Sequence, residues 1–490
     1  MPIHRRAAST PPRLVSTLIA AAIAAAAPGA ARTAGLSAPA SVAATTLDRI
    51  DVVARAPQDP RVRAESVSAL DAAALDRLSP THSNEALSRV PGAWASRGSG
   101  QEQLLAIRSP VLTGPGGCGS FLVLDDGVPI RPAGFCNVNQ LSEVNLAQAE
   151  GVEVLRGPGS AVHGSNALHG VVAVRPRLPG EGGSVRGEFG SDDYRRVLLA
   201  LDDGARLRVD ANAVDTGSFR ADEGYAQQQL TAQWQPASDG STRFAFAAHR
   251  LRQETAGFAF GEGAWRDGRR SGNANPEAFR EADSARLALH HVRAVGDGEL
   301  LLRPYARDES QTFLQHFNLG QPLEANGSRS LGLQAMWSDA TLRIGLDVEG
   351  VEGELRQTQA RALTTGTPAQ NAQRPAGIHY DYAIDARQLA LFGEKQWRLD
   401  RDVLTLGARI ERLRYAYDNR AGDGNRRDDG TPCGFGGCLY LRPADRRDAF
   451  TARSAQLGWM RSFDGGWSVG ARAARAFRFP QATELYRLQR

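Results

Sequence analysis

The sequence predicts an antiparallel β-barrel of the membrane type, with a polar interior, preceded by a small mixed α+β domain. Three observations carry this expectation. From about Ser184 onward, apolar and polar residues alternate in strand-length runs. The runs are joined by short turns that take their place between long polar loops. Between Val152 and Val174, two apolar strands flank a middle punctuated by Gly157, Gly159, Gly164 and Gly170, with Pro158 fixing one turn.

The elements follow in order. His4, Arg5, Arg6 and Arg13 precede an uncharged run from Leu14 to Ala27, and small residues come next. This reads as an export signal over residues 1–31, with cleavage between 27 and 40. A Pro- and Ala-rich linker occupies 32–60 and is interrupted by Leu47-Asp48-Arg49-Ile50-Asp51-Val52-Val53-Ala54. A compact mixed region spans 61–183. Its first helix is expected from the spacing of Ala69, Leu70, Ala73, Leu75 and Leu78. A second is expected to start near Thr81, capped by its hydroxyl, with Leu87 and Val90 on its apolar side and Pro91-Gly92 ending it. Strands are expected at Leu104–Arg108 and Phe121–Leu124, then at Val152–Leu155 and Val171–Val174, with Asp125-Asp126-Gly127 as a tight turn.

In the β zone, Leu342, Ile344, Leu346 and Val348 share one face, and Arg343, Gly345, Asp347 and Glu349 the other. Leu404, Leu406, Ala408 and Ile410 repeat the pattern, as do Leu207, Val209, Ala211 and Ala213. Such alternation suits a soluble sandwich or a membrane barrel. Connection lengths decide between them. Short turns at 237–240, 296–298, 338–339, 400–401 and 464–465 separate long loops at 257–283, 358–377 and 418–447, the barrel arrangement. Trp234, Trp337, Tyr415 and Trp459, near strand ends, suit interfacial girdles. No apolar run of about 18 residues is present, so no transmembrane helix is expected; barrel strands give no such run.

Composition excludes other classes. The 490 residues carry a net charge of +4, with Lys395 the only lysine. No basic stripe interleaved with aromatics marks a nucleic-acid surface. No nucleophile–base pair, phosphate loop or metal-ligand cluster is readable, so neither an enzyme nor a cofactor is expected. The four cysteines form two close pairs, Cys118 with Cys136 and Cys433 with Cys438. In an exported protein the default is two local disulfides; the rival is a metal site, which needs four converging ligands, and neither pair has a nearby His. His163, His169 and the pair His290-His291 are read as packed residues rather than ligands.

Motifs in series then carry a resemblance. Asn84-Glu85-Ala86-Leu87 to Pro91-Gly92, Leu122-Val123-Leu124-Asp125-Asp126-Gly127-Val128-Pro129, and Glu153-Val154-Leu155-Arg156-Gly157-Pro158 through Gly164-Ser165-Asn166-Ala167 and Gly170 resemble the plug domain of TonB-dependent outer-membrane receptors. Leu47 to Ala54 resembles the TonB box. Ala476-Phe477-Arg478-Phe479-Pro480 with Glu484-Leu485-Tyr486 resembles a recurring barrel-strand motif. Two positions depart: Arg108-Ser109-Pro110 stands where Arg-Gly is usual, and His163 where an aromatic is common.

The resemblance implies a plug inside a family barrel of about 22 strands, in the outer membrane of a Gram-negative bacterium. It implies active uptake of a scarce ligand, foremost a ferric siderophore, with cobalamin, haem, another metal chelate or a saccharide as alternatives. A passive porin or a β-rich binding module is the second class. The implied partners are TonB with its ExbB/ExbD energy complex, the extracellular ligand and outer-membrane lipid. Arg108, Thr113, Gly116, Gly117, Arg131, Phe135 and Asn137 are the candidate ligand residues at the plug apex, while Gly127, Gly157, Gly164 and Gly170 are structural. The Cys118–Cys136 bridge would tie two apex loops and Cys433–Cys438 would pinch an extracellular loop. The β zone holds a dozen to fifteen strands by pattern and ends Tyr486-Arg487-Leu488-Gln489-Arg490 rather than on an aromatic. The expectation is therefore a partial barrel from a C-terminally shortened sequence.

Overall fold

The computed structural model describes residues 64–237 and 239–490. The export signal and the Leu47–Ala54 segment lie outside the described residues. Residues 64–176 build an inner domain on a five-stranded sheet. Its strands are β1 (Ser66–Asp71), β4 (Phe121–Asp125), β5 (Val128–Pro129), β6 (Ala149–Arg156) and β7 (Gly170–Pro176), in the order β1-β6-β7-β4-β5. A separate ribbon pairs β2 (Ala93–Ala95) with β3 (Leu105–Ile107). The glycine-punctuated stretch is the antiparallel β6–β7 pair, with Val152 opposite Val174 and Val154 opposite Val172. These valines pack with Leu75, Leu87, Val90 and Ile107 into a dry core.

Two helix expectations are corrected. Ala69 and Leu70 belong to β1, not to a helix, because β1 pairs along its whole length with β6. The helix begins only at Ala72, where the Asp71 carboxylate accepts from the Ala74 amide at 2.8 Å. In the second helix, Ser83–Leu87, the cap is the His82 ring, whose Nδ1 accepts from the Asn84 amide at 3.0 Å. Thr81 instead bonds Glu85, donating its amide to the carboxylate at 2.8 Å.

The outer sheet has 13 antiparallel strands: β8 (Ser184–Phe189), β9 (Arg195–Asp202), β10 (Leu207–Thr216), β11 (Gly224–Trp234), β12 (Thr242–Glu254), β13 (Phe279–Val295), β14 (Gly298–Leu314), β15 (Leu323–Ser338), β16 (Leu342–Gln359), β17 (Gly377–Leu399), β18 (Asp402–Asn419), β20 (Arg446–Ser462) and β21 (Ser468–Arg475). Each pairs with its sequence neighbour, except that β18 skips to β20. The intervening β19 (Tyr440–Leu441) lies in the long loop and pairs with β22 (Leu488–Gln489). The edge strands β8 and β21 do not pair with each other, so the barrel is not closed.

The two faces of this sheet invert the soluble pattern. Leu331, Leu389, Leu391 and Leu457 are exposed on the outside, whereas Arg196, Arg208 and Arg303 are fully buried on the inside. Water would penalise such an outer face, and lipid favours it. Among the described residues, no helix is long and apolar enough to cross a membrane. Trp234, Trp397 and Trp467 lie exposed near the short-turn end, and Trp337 and Trp459 anchor there through indole N–H bonds to Val295 O (3.0 Å) and Asp402 (2.9 Å). Tyr415 departs from the girdle expectation: it points inward and is buried. The Phe477–Tyr486 motif departs too. It follows β21 as an extended run and a short helix, Ala482–Tyr486, rather than as a barrel strand.

Between the inner domain and the sheet, residues 177–183 are pinned by side chains, Asp202 foremost among them. The Asp202 carboxylate accepts from the amides of Gly180 (3.0 Å), Glu181 (3.0 Å) and Gly182 (3.1 Å), and pairs with Arg208 at 3.1 Å.

Candidate functional site

The inner domain is held inside the sheet by an acidic turn. Asp126 and Gly127, joining β4 to β5, have φ of 53° and 76°, the left-handed pair of a tight hairpin. The turn thrusts two carboxylates at the wall. Asp125 meets Arg286 of β13 at 2.6 Å. Asp126 is gripped by both terminal nitrogens of Arg243 on β12, at 2.6 and 3.0 Å, and by His290 Nε2 at 3.0 Å. Arg303 of β14 donates to the Gly127 carbonyl at 3.2 Å, and Arg307 to that of Pro129. Behind the turn, Arg131 pairs with Glu143 of its own domain and with Glu309 of β14.

Burial and partner charge act oppositely on the two aspartates. Burial pushes the Asp125 carboxyl up despite Arg286. Burial also raises Asp126, but Arg243 and His290 outweigh it and hold this carboxyl well below the ordinary range. Asp126 is therefore the firmly ionised member of the turn.

Toward the long-loop end, the chemistry changes. The structure joins Cys118 to Cys136 and Cys433 to Cys438. Phe135 packs edge-on to Tyr415 of β18 with ring centroids 6.4 Å apart. Around it lies an aromatic cluster that includes Tyr382, Tyr417, Phe450, Phe479 and Tyr486. Tyr417 and Tyr486 stack at 4.3 Å and 17°. Here Phe135 meets the sheet through rings, while Gly164 nearby faces the buried Arg409–Glu411 pair of β18.

Comparison with known proteins assigns both domains. The TonB-dependent receptor plug domain matches residues 59–171, and the TonB-dependent receptor-like β-barrel matches residues 177–489. The chain belongs to the TonB-dependent receptors. Solved structures agree on the fold. The ferric citrate transporter FecA in its unliganded form superposes with a TM-score of 0.66 at 15% identity, covering 86% of this chain and 64% of that one. The ferric yersiniabactin uptake receptor FyuA from Yersinia pestis gives 0.61 at 16% identity, covering 85% and 65%. The siderophore receptor PiuA from Acinetobacter baumannii gives 0.60 at 13%, covering 85% and 65%. The chain thus spans under two-thirds of the length of these receptors.

In this TonB-dependent receptor the inner domain is the plug and the open sheet belongs to the barrel, which in this family lies in the outer membrane. The plug residues offered to a ligand by sequence scatter. Thr113 is exposed, and Gly117 closes a turn onto the Gly114 carbonyl at 3.0 Å. Gly116 is buried beneath the Glu484 side chain, leaving no room for a Cβ. Asn137 donates to Gln311 of β14 at 2.8 Å, and Phe135 lies against Gly353 and Tyr415. Arg131 is committed to Glu143 and Glu309, and Arg108 sits apart, bonding Ser66 at 2.9 Å. Gly164, with φ of 84°, faces Glu411 and Arg409 of β18, and Gly170 crowds Ile107; Gly157 is uncrowded.

Sequence reasoning missed the clamp. Asp125 and Asp126 read only as a turn, and His290 as a packed residue. Two adjacent acids at a hairpin tip, followed far downstream by isolated arginines on inward strand positions, are the signal available. His163 and Asn166 line a cavity of about 30 Å³ with Arg131, Glu349 and Arg409. That is space for a water or two and not for a solute. Among the described residues, no cluster of His, Cys, Asp or Glu is placed to hold a metal ion.

Proposed function

We propose that this receptor takes up a ferric siderophore across the outer membrane of a Gram-negative bacterium, driven by TonB. The observation that carries the reading is the acidic-turn clamp. A plug fastened by Arg243, Arg286, Arg303 and His290 fills the polar interior, so a solute passes only if the plug moves. A passive pore has no use for such a clamp. The ligand class rests on the neighbours named for ferric citrate, ferric yersiniabactin and a siderophore.

In this reading the Leu47–Ala54 segment extends into the periplasm and pairs edge-on with a strand of TonB, main-chain bonds supplying affinity. The ExbB/ExbD complex supplies the energy, and lipid contacts the outer face of the sheet. A siderophore arrives with its iron already chelated, so the protein need not supply metal ligands. Deleting 47–54 in the native gene is expected to abolish iron-chelate uptake while cell-surface binding persists. Unchanged uptake rejects the TonB-driven reading, and expression indifferent to iron starvation counts against an iron cargo.

A further inference from the structure

After β21 ends at Arg475, the chain turns inward and runs between plug and wall. On the plug side, the Phe479 amide donates to Ser165 Oγ at 3.1 Å, Gln481 Nε2 to Asn166 Oδ1 at 3.1 Å, and the Ala482 amide to the Gly134 carbonyl at 2.8 Å. On the wall side, the Tyr486 hydroxyl donates to Asp448 at 2.8 Å and Arg487 pairs with Glu324 at 2.5 Å. The Arg490 amide donates to the Leu439 carbonyl at 2.9 Å, beside the Cys433–Cys438 bridge. Tyr486 and Gln481 are buried at 0% and 1% exposure.

The seat on the plug exists because side chains are missing there. A Cβ on Gly119 would lie 2.5 Å from Gln481 Nε2, and one on Gly116 would collide with the Glu484 carboxylate. That carboxylate is itself held by Arg478 at 2.9 Å. Gly119 belongs to the loop closed by Cys118–Cys136, and Gly116 lies two residues before that bridge. This segment therefore covers the plug apex, including Gly116, one of the positions the sequence offers to a ligand.

We propose that residues 477–490 are an intramolecular lid. They hold the plug apex against the wall, and a ligand reaches the apex only when they swing out. The proposal rests on the uptake reading above for its ligand. A lid that is closed most of the time weakens apparent affinity by the open fraction, so loosening it tightens binding.

The test uses two variants that loosen the seat from opposite sides, Gly119→Ala on the plug and Gln481→Ala on the lid. Hydrogen exchange is read at the Phe479 and Ala482 amides and at the plug amide of Gly119, which bonds Gly116 at 2.9 Å. Binding is measured with ferric citrate, a ferric tris-catecholate and a ferric tris-hydroxamate. The expected result is faster exchange at all three amides in both variants, and about tenfold tighter binding of whichever chelate binds the wild type. In the wild type, saturation with that chelate is expected to expose Phe479 and Ala482. Weaker or unchanged binding in variants whose amides are freed overturns the proposal, as does full protection at saturation. If no chelate binds either protein, the ferric-ligand reading falls, while the lid is judged by whether the plug amide of Gly119 is released with the segment.

Discussion

Where the plug's acidic turn meets β12 to β14 the contact is ionic; where its Phe135 edge meets β17 to β20 it is aromatic, with the Arg409–Glu411 pair of β18 set apart beside Gly164. Arg243, Arg286 and Arg303 hold the acidic turn on the first side, and Tyr382, Tyr415, Tyr417 and Phe450 surround the second. The difference bears on how each side yields. Buried charges are poorly solvated while paired and well solvated once water enters, so an ionic contact gives way to water at modest net cost. Rings lose their contact area on separation and gain nothing from water. The ionic side is suited to release and the aromatic side to sealing.

The largest effect is expected on the ionic side. Arg243→Ala leaves Asp126 buried with only His290 opposite, and is expected to destabilise the plug by about 3–5 kcal/mol. Denaturant unfolding in detergent measures it. Arg243→Leu combined with Asp126→Asn, a neutral residue that tolerates the left-handed turn position, is expected to recover most of that loss, and a double variant as unstable as the single one would deny the clamp its role.

Acid probes the plug away from both contacts. Burial, aided by Arg97, holds the His82 pKa down to about 4 from the ordinary 6.5. The folded plug then binds fewer protons than the unfolded chain between those values, so stability falls as pH drops below 6.5 and the loss is complete near 4. The loss is on the order of 3 kcal/mol, because protonation at Nδ1 also removes the cap on Asn84. His82→Gln is expected to flatten the pH profile of unfolding over that window.

On the aromatic side, Tyr486→Phe keeps the stack on Tyr417 and loses only the hydroxyl bond to Asp448. A loss of about 1 kcal/mol is expected, and a loss as large as that of Arg243→Ala would erase the contrast between the two sides. The smallest effect is expected at Arg329, whose pair with Asp308 at 2.7 Å is largely exposed. Arg329→Ala is expected to change stability by less than about 1 kcal/mol, separating burial from mere ion-pair chemistry.

The barrel strands were legible because alternation is local: Leu342 to Glu349 shows its two faces within eight residues. Which face met lipid was legible only through loop lengths. The Val152–Val174 pair was equally local. Ala69 and Leu70 misled because helical spacing runs unbroken from β1 into the helix, and only pairing with β6 divides them. The clamp was hidden by distance along the chain, since Asp125 and Asp126 find partners 161 and 117 residues later. The apex was hidden for the same reason: Gly116 reads as a ligand position, and its cover, Glu484, comes from the far end of the sequence, as does Gln481 over Gly119.

The Asp202 cradle has a mechanical consequence. It fastens the chain just after β7, so a load applied ahead of Ser66 is carried between that fixed point and β1. Strand β1 is an edge strand with one neighbour, and once Glu65 is freed from Arg472 and Gln456, its first rung, Ser66 opposite Arg156, takes the strain. Peeling then breaks six rungs in succession, from Ser66 to Asp71, while the β6–β7–β4 ladder stays intact. The plug is thus jointed to come apart from one margin, with the cradle as the post against which the line is drawn.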